Sequence, residues 1–284
     1  MFLYIVVKKI LDKNPISVNL HFWPFCNMNC KYCFAHFRDI NTSLTKNEWF
    51  DIIEELANNN FEKINFAGGE PTLCPFLDDL IIFAKELGLT TSLISNGTGI
   101  NQEFINKIRD SIDWIGLSLD SSHENTQYRL GRGNGHYVNG ILEKSRLVKN
   151  AGINLKINTV ITKLNYNEDM NGILGKINPK RWKAFQVLFI DNQNTEWRER
   201  LSITNSEFQF FLNQHKLMNP IPETNEAMIN SYIMVNPEGR FFQNSEMRYT
   251  YSKPILNVGV ENALNEIYYN HQKFLKRGGL YCWS

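Results

Sequence analysis

The sequence predicts an α/β fold, namely an open, partial barrel of six βα units followed by a C-terminal extension that covers the barrel mouth. Two observations support this prediction. From residue 16 to residue 190, short apolar runs typical of strands alternate with amphipathic runs typical of helices, and parallel strands need long crossovers of this kind. After residue 190 the alternation stops, two units short of the eight that a closed barrel requires.

Several units carry local signals for where an element begins or ends. The first predicted helix has a capping box, with Thr45 followed three residues later by Glu48, and the second ends at Gly88, a common residue just past a helix. The predicted strands are Ile16–Phe22, Lys63–Ala67, Thr91–Ser95, Trp114–Leu119, Asn154–Ile161 and Trp182–Ile190. The predicted helices lie near 45–58, 76–87, 101–110, 137–150 and 167–176.

This alternation divides the chain into three parts. Residues 1–15 are predicted to form an N-terminal strand or packing tail, residues 16–190 the (βα)6 core, and residues 191–284 the extension over the active site. Within the extension we expect a helix near 204–216, a hairpin around Asn236-Pro-Glu-Gly239 and a last helix near 261–275.

The composition restricts the class of protein. With 284 residues, 43% apolar and 13% aromatic, the chain can bury a large core. A formal charge of +1 argues against a dedicated nucleic-acid binder, so anion binding must come from local placement of Lys and Arg. Five cysteines fit a reducing compartment, and no stretch approaches the roughly 20 apolar residues of a membrane span. We therefore expect a cytoplasmic protein with no membrane or nucleic-acid partner.

Three cysteines fall within eight residues, at Cys26, Cys30 and Cys33, directly after the first predicted strand. Three soft ligands suit either an iron–sulfur cluster or zinc, and His36 could complete a four-ligand zinc site. A four-iron cluster held by only three cysteines would leave one iron open for a small molecule. Cys74 and Cys282 are isolated and are predicted to be small buried apolar residues.

Small and polar residues follow the next predicted strands. Gly68-Gly69-Glu70 follows the second strand, where two glycines allow the backbone to approach a ligand closely and Glu70 adds an acceptor for an ammonium group. The other members of this group, each also an ordinary turn former, are Ser95 and Asn96 after strand three, Ser118 after strand four, and Arg132, a fixed charge suited to a carboxylate.

Basic and amide residues stand two positions apart along three of the predicted strands. Residues two apart on a strand point to the same face, so each pair shares one face of its strand. Outward, these side chains would be ordinary surface residues; inward, they would need a counter-charge such as a bound polyphosphate. This basic set comprises Lys63 with Asn65, Lys156 with Asn158, and Arg181 with Lys183.

The cysteine spacing, with Phe34 after it and Gly68-Gly69-Glu70-Pro71 downstream, resembles the radical S-adenosylmethionine (SAM) enzymes. The resemblance implies a radical SAM barrel, a [4Fe-4S] cluster on Cys26, Cys30 and Cys33, and SAM bound at its open iron. It implies SAM-binding roles for Phe34, Gly68, Gly69, Glu70, Ser95, Asn96, Ser118, Arg132 and Val187.

From about residue 16 to the C-terminus the chain further resembles the viperin family, the nucleotide dehydratases of antiviral defence. Matching segments include Ser17-Val-Asn19-Leu-His21-Phe22, Lys63 to Pro71, Phe185-Gln-Val187, Pro222-Glu-Thr-Asn225 and Phe274 to Ser284. The resemblance implies that a ribonucleoside triphosphate, CTP before UTP or GTP, is converted to its 3′-deoxy-3′,4′-didehydro form, with electrons from a flavodoxin or ferredoxin type of donor. It implies nucleotide-binding roles for Asn19, Lys63, Asn65, Lys156, Asn158, Arg181 and Lys183.

Two other classes of function remain open at this point. One is radical SAM chemistry on a peptide or on a nucleotide that is rearranged rather than dehydrated. The other is a non-catalytic zinc or iron–sulfur module.

Overall fold

The computed structural model describes residues 16–283, and these residues form a single ten-stranded sheet with helices on its outer side. The predicted N-terminal strand or tail, residues 1–15, lies outside the described residues. The strands are β1 (Ile16–Trp23), β2 (Phe61–Gly68), β3 (Thr90–Ser95), β4 (Trp114–Ser118), β5 (Asn154–Ile161), β6 (Arg181–Gln186), β7 (Ile221–Glu223), β8 (Ile233–Val235), β9 (Arg240–Gln243) and β10 (Thr250–Pro254).

Helices connect the strands of the parallel part of the sheet. In chain order they are α1 (Lys46–Asn58), α2 (Leu77–Glu86), α3 (Gln102–Ile108), α4 (Glu124–Arg129), α5 (Tyr137–Asn150), α6 (Asn171–Ile177), α7 (Arg198–Leu201), α8 (Asn205–Gln214), α9 (Asn225–Met228), α10 (Ile255–Val258), α11 (Val260–Leu264) and α12 (His271–Lys276). The capping box predicted at Thr45 and Glu48 is present at the start of α1. Among residues 16–283, no helix combines the length and the apolar character needed to cross a membrane.

The sheet order is β10-β9-β8-β1-β2-β3-β4-β5-β6-β7. In this order, every neighbouring pair from β8–β1 through to β6–β7 is parallel. The open six-unit barrel predicted from the sequence is therefore present as β1 to β6. The extension adds a strand at each edge, β8 beside β1 and β7 beside β6, which the sequence did not predict. The predicted hairpin around Asn236 is the antiparallel β8–β9 pair.

Alternation along each strand separates the core from the lumen. On β1, Val18, Leu20 and Phe22 are fully buried and belong to the main apolar cluster, which includes Trp49 and Ile52 of α1. The intervening residues of β1 face the barrel interior, as a period of two requires. The polar side chains of the strands are thus gathered in the lumen.

The sixth strand and the last helix differ from their predicted bounds for reasons that the hydrogen bonds show. The sixth strand was predicted to reach Ile190 but ends at Gln186, because the Asn194 side chain accepts from the Ile190 N–H and donates to the Leu188 carbonyl in place of a ladder. The last helix, predicted near 261–275, is divided into α11 and α12. It is interrupted because the Asn270 N–H donates to the Asn230 carbonyl and its side chain caps α12.

Candidate functional site

The lumen contains two connected chambers. The upper chamber, about 250 Å³, lies at the C-terminal ends of the strands, and the lower chamber, about 200 Å³, lies towards their N-terminal ends. Eight residues line both chambers, so the chambers share a boundary: His21, Phe34, Ala67, Ile94, Asn158, Phe185, Leu188 and Met228.

The cysteine loop forms one wall of the upper chamber and is held by backbone contacts on two sides. On one side the Gly69 N–H donates to the Trp23 carbonyl (2.6 Å) and the Glu70 N–H to the Phe25 carbonyl (2.8 Å). A β-carbon on Gly69 would lie only 2.3 Å from the Phe25 carbonyl oxygen. We expected Gly68 and Gly69 to admit a ligand; in the structure they admit the backbone of the cysteine loop.

The opposite side of the loop is held in the same way. The Lys31 N–H donates to the Leu130 carbonyl (2.9 Å), and the Asn29 N–H to the Gly131 carbonyl (3.2 Å). Gly131 has φ +87° and a β-carbon there would lie 2.0 Å from the Asn29 carbonyl oxygen, so only glycine fits. The loop is therefore positioned by the ends of β2 and the segment after α4 before any ligand binds.

Cys26, Cys30 and Cys33 all line the upper chamber. Burial raises the pKa of all three thiols, that of Cys33 to about 12, so thiolates need a metal to stabilise them. His36 is the residue that could complete a four-ligand zinc site, and its Nε2 lies 3.2 Å from the Cys30 carbonyl oxygen. Within residues 16–283 no three His, Cys, Asp or Glu side chains form a group for a single metal ion. Three thiols along one wall fit a four-iron cluster, in which each ligand binds a different iron.

Glu70 is buried and its carboxylate is already used by the protein. Oε1 accepts from the Thr72 N–H (3.1 Å), the Thr72 hydroxyl (2.6 Å) and the Ser95 hydroxyl (2.7 Å), and Oε2 accepts from the Asn96 N–H (2.6 Å). These contacts join the predicted Gly-Gly-Glu, Ser95 and Asn96 signals into one network. Oε2, with one donor, is the oxygen with capacity left for an ammonium group.

Arg132 forms a buried ion pair that the sequence analysis missed. Its Nε lies 2.8 Å from Asp120 Oδ2, its Nη2 donates to the Tyr32 hydroxyl (2.7 Å), and its Nη1 contacts the Tyr137 hydroxyl (3.3 Å). Burial raises the pKa of Tyr32 well above its ordinary value, so its hydroxyl stays protonated. The signals were available: Tyr32 lies between two of the cysteines, and Asp120 follows β4.

The structure brings together all but one of the residues predicted for the cluster and SAM. Val187 is the exception, because its side chain packs with Cys30, Tyr32 and Leu130 and does not line the chamber. The residues lining the upper chamber are Cys26, Cys30, Cys33, Phe34, Gly68, Gly69, Glu70, Ser95, Asn96, Ser118 and Arg132.

The lower chamber collects the predicted basic and amide residues. Six of the seven predicted nucleotide contacts line it: Asn19, Lys63, Asn65, Lys156, Asn158 and Lys183. Asn65 donates to Asn19 (2.9 Å), which leaves Asn65 Oδ1 buried without a partner, and Asn158 Oδ1 is also unpaired. Both free atoms are acceptors, so a ligand that satisfies them must supply hydrogen-bond donors.

Arg181 does not reach the lower chamber, and this correction has a clear cause. Its Nη2 donates to the Gly278 carbonyl (2.6 Å) and its guanidinium stacks on the Tyr281 ring at 4.0 Å, so it lines a neighbouring pocket that shares Tyr281 with the lower chamber. Arg277, which we did not predict, lines the chamber instead and is buried. The Gly-rich run Arg277-Gly-Gly279 was the signal for it.

Only part of the positive charge in the lower chamber is balanced. Glu223, fully buried, forms ion pairs with Lys183 and with Arg277 (3.4 Å) and accepts from the Tyr232 hydroxyl. Lys63 and Lys156 form no ion pair with any carboxylate among residues 16–283. Lys63 contacts the Tyr281 hydroxyl and ring, and Lys156 donates to Ser92 Oγ (2.9 Å).

The pKa values of these lysines follow from burial and mutual repulsion. Burial, reinforced by Lys183 and Arg181, lowers the pKa of Lys63 to about 7, and burial with Lys63 nearby lowers that of Lys156 well below its ordinary value. Burial lowers the pKa of Lys183 to about 8 although Glu223 opposes the shift. A bound anion would restore the charged state of all three.

Comparison with known proteins identifies the class first. The sequence model of the Radical SAM superfamily matches residues 20–175, more than half of the chain. A crystal structure of Streptococcus suis SuiB bound to S-adenosylmethionine superposes with a TM-score of 0.69 at 15% identity, covering 93% of this chain and 68% of that one. Native anSMEcpe with AdoMet and a peptide gives a TM-score of 0.71 at 16% identity, covering 92% and 83%. The chain therefore belongs to the Radical SAM superfamily and has the fold of these enzymes.

Curated relatives then identify the family. An S-adenosylmethionine-dependent nucleotide dehydratase of Flammeovirga pacifica is 42% identical, covering 98% of this chain and 100% of the relative. A protein of the same name from a Thermoplasmatales archaeon is 32% identical over 94% and 96%, and RSAD2 of Siniperca chuatsi is 37% identical over 95% and 80%. The chain belongs to the viperin-like family of SAM-dependent nucleotide dehydratases.

Proposed function

We propose that the protein converts a ribonucleoside triphosphate, CTP before UTP or GTP, to its 3′-deoxy-3′,4′-didehydro form. The ribose 4′ hydrogen is removed, the 3′ hydroxyl leaves as water with a proton, and one electron returns to the sugar. The product lacks a 3′ hydroxyl and would terminate RNA chains, which is the basis of an antiviral role. The names of the relatives support nucleotide dehydration; CTP and the product are our proposal.

The observation that carries this proposal is the lower chamber. Lys63 and Lys156 are buried lysines without a carboxylate partner among residues 16–283, and a polyphosphate would stabilise their charged forms. The unpaired acceptors Asn65 Oδ1 and Asn158 Oδ1 call for hydroxyl or amino donors. A nucleoside triphosphate has anionic phosphates at one end and hydroxyl or amino donors at the other.

The upper chamber would hold the cofactors. We assign Cys26, Cys30 and Cys33 to the [4Fe-4S] cluster, and Glu70 and its neighbours to SAM. When bound, the reduced cluster would supply the electron that cleaves SAM to methionine and a 5′-deoxyadenosyl radical. We expect the electrons to come from a flavodoxin or ferredoxin in the cytoplasm.

The boundary between the chambers would keep the reacting sugar away from water. The apolar surface there is supplied by four side chains, those of Phe34, Phe185, Leu188 and Met228. Excluding water protects a sugar radical from side reactions.

The test is anaerobic incubation of the cluster-reconstituted protein with SAM, a strong reductant and each of the four ribonucleoside triphosphates. We expect 5′-deoxyadenosine together with a nucleotide lighter by one water, most rapidly from CTP. Cys30→Ala protein is the matched control and should form neither. Formation of 5′-deoxyadenosine with a nucleotide of unchanged mass would indicate rearrangement, and no nucleotide-dependent product would contradict the proposal.

A further inference from the structure

The boundary between the two chambers is almost entirely apolar. Of the eight residues that line both chambers, only His21 and Asn158 have polar side chains. Asn158 was predicted as a nucleotide contact, whereas nothing so far assigns a role to His21. A single imidazole in an apolar constriction between two ligand chambers needs an explanation.

His21 is surrounded by aromatic rings and has no hydrogen-bond partner among the described residues. Its ring packs against the edges of Phe34, Phe37 and Phe242, with centroids 5.5–5.9 Å apart. The residue is 6% exposed, Nδ1 is buried and unpaired, and no hydrogen bond joins either ring nitrogen to residues 16–283. Burial lowers its pKa to about 4, so the imidazole is neutral and offers one donor and one acceptor.

His215 provides the contrast within the same chain. It too is fully buried beside aromatic rings, those of Trp182 and Phe211. Its nitrogens are satisfied, because Nε2 accepts from the Met170 N–H (2.9 Å) and Nδ1 lies 2.7 Å from the Phe211 carbonyl oxygen. Buried polar groups in proteins are normally paired in this way, so the unpaired state of His21 indicates a partner that is not part of the protein.

The strand register places His21 above the lysines. Ser17, Asn19 and His21 of β1 lie opposite Lys63, Asn65 and Ala67 of β2. His21 is thus four residues along β1 from the level of Lys63, or about 13 Å at about 3.3 Å per residue. A nucleotide with its phosphates near Lys63 would present its sugar, not its phosphates, to this level, facing the upper chamber.

We propose that His21 binds a ribose hydroxyl of the nucleotide at the boundary between the chambers. This inference rests on the proposed function and adds to it the residue that positions the sugar. A hydroxyl group suits an imidazole because it can both donate and accept, whereas a phosphate would favour a charged partner.

The test combines substitutions at His21 with removal of each ribose hydroxyl. Binding of CTP, 2′-deoxyCTP and 3′-deoxyCTP to the cluster-reconstituted protein is measured with SAM present and reductant absent, so that no turnover occurs. In the wild type, one of the two deoxy analogues should bind about tenfold more weakly than CTP. In His21→Phe this difference should fall below twofold. His21→Asn and His21→Gln, which place an amide near Nδ1 or Nε2, should keep part of it.

Thermal unfolding of the free protein distinguishes this role from a structural one. His21→Phe removes no hydrogen bond to residues 16–283 and keeps an aromatic ring among the phenylalanines, so it should not lower the unfolding midpoint. His215→Phe, the matched control, removes the acceptor of the Met170 N–H, so it should lower the midpoint and leave the difference between CTP and its deoxy analogues unchanged.

Two results would overturn the inference. If CTP binds and both analogues keep the same relative affinity in the wild type and in His21→Phe, the role of His21 is wrong and the proposed function stands. If none of CTP, UTP and GTP binds to the wild type, the proposed function and this inference are both wrong.

Discussion

The two chambers of the lumen differ in how far the protein satisfies its own polar groups. In the upper chamber Glu70 accepts from four donors, and Arg132 is paired with Asp120. In the lower chamber Lys63 and Lys156 have no ion-pair partner among residues 16–283, and two amide oxygens are unpaired.

This difference indicates two ways to prepare a binding site. The upper chamber is preorganised, because its polar residues hold each other and the cysteine loop in position. The lower chamber contains buried lysines without ion-pair partners and acceptors without donors, and a bound ligand would supply both. Substitutions in the upper chamber should therefore lower stability and ligand binding together, whereas those in the lower chamber should separate the two.

The largest expected effect concerns the upper chamber. Cys30→Ala removes one of three thiols, so we expect loss of the brown iron–sulfur chromophore and of SAM cleavage. Absorption spectroscopy and 5′-deoxyadenosine analysis measure both. Cys74→Ala, buried outside both chambers, and Cys282→Ala, which is exposed and not buried as predicted, should retain both properties. A fully active Cys30→Ala protein would exclude radical SAM chemistry at this site.

Glu223 is the exception in the lower chamber, because it is a carboxylate paired with two of the cations. Glu223→Gln leaves Lys183 and Arg277 without a counter-charge and should lower the free energy of unfolding by about 3–5 kcal/mol. CTP should stabilise this variant more than it stabilises the wild type, as chemical denaturation with and without CTP would measure. Glu226→Gln, an exposed neighbour, is the control. Equal stability of Glu223→Gln and wild type would contradict the assignment of Glu223 as counter-charge.

Glu70→Gln tests the preorganised side of the comparison. An amide group would face donors that now meet a carboxylate, so both the free energy of unfolding and SAM affinity should fall, each by about 1.5–3 kcal/mol. CTP affinity should hardly change. Calorimetric titration with SAM and with CTP separates the two effects, and unchanged SAM binding would show that Glu70 serves only the turn.

Lys156→Met tests the opposite behaviour in the lower chamber. The variant loses a buried amine that has no ion-pair partner among residues 16–283, so the free energy of unfolding should not fall, while CTP should bind about 1.5–3 kcal/mol more weakly. Arg181→Ala should weaken CTP binding less, since its guanidinium does not line the chamber and is already held by Gly278 and Tyr281. Cytidine binding is the control. Equal losses for cytidine and CTP in Lys156→Met would mean that the basic set is structural.

The last prediction concerns the pH dependence of CTP binding. The pKa of Lys63 is about 7 and that of Lys183 about 8 in the free protein, and a bound triphosphate would raise both. Binding of CTP should therefore take up protons, and its affinity should fall as pH rises from about 7.5 to 9, by up to about tenfold per pH unit for each proton. Titration calorimetry in buffers of different ionisation enthalpy measures the uptake; no buffer dependence would contradict it.

The sequence predicted the repeated parts of this molecule well and the non-repeated parts poorly. Six strands and their polar faces follow from periodicity, which is local, and the cysteine spacing is visible directly. Arg277 lines the lumen, and Glu223 reaches Lys183 and Arg277, only because β7 and the C-terminal segment pack against the barrel, which no local pattern specifies. Arg181 and Val187 have the expected spacing, but Arg181 stacks on Tyr281 and Val187 packs against Leu130, so neither side chain lines its predicted chamber.

The pairing of β1 with β8 has a consequence for synthesis of the chain. Val18 and Leu20 pair with Ile233 and Val235, more than 200 residues later in the sequence. While the ribosome is making the intervening chain, β1 has an unpaired edge rich in apolar residues, a template for pairing with other nascent chains. This edge of β1 is covered only when β8 has been made, so folding of this protein should depend on chaperones that cover β1 until β8 has emerged.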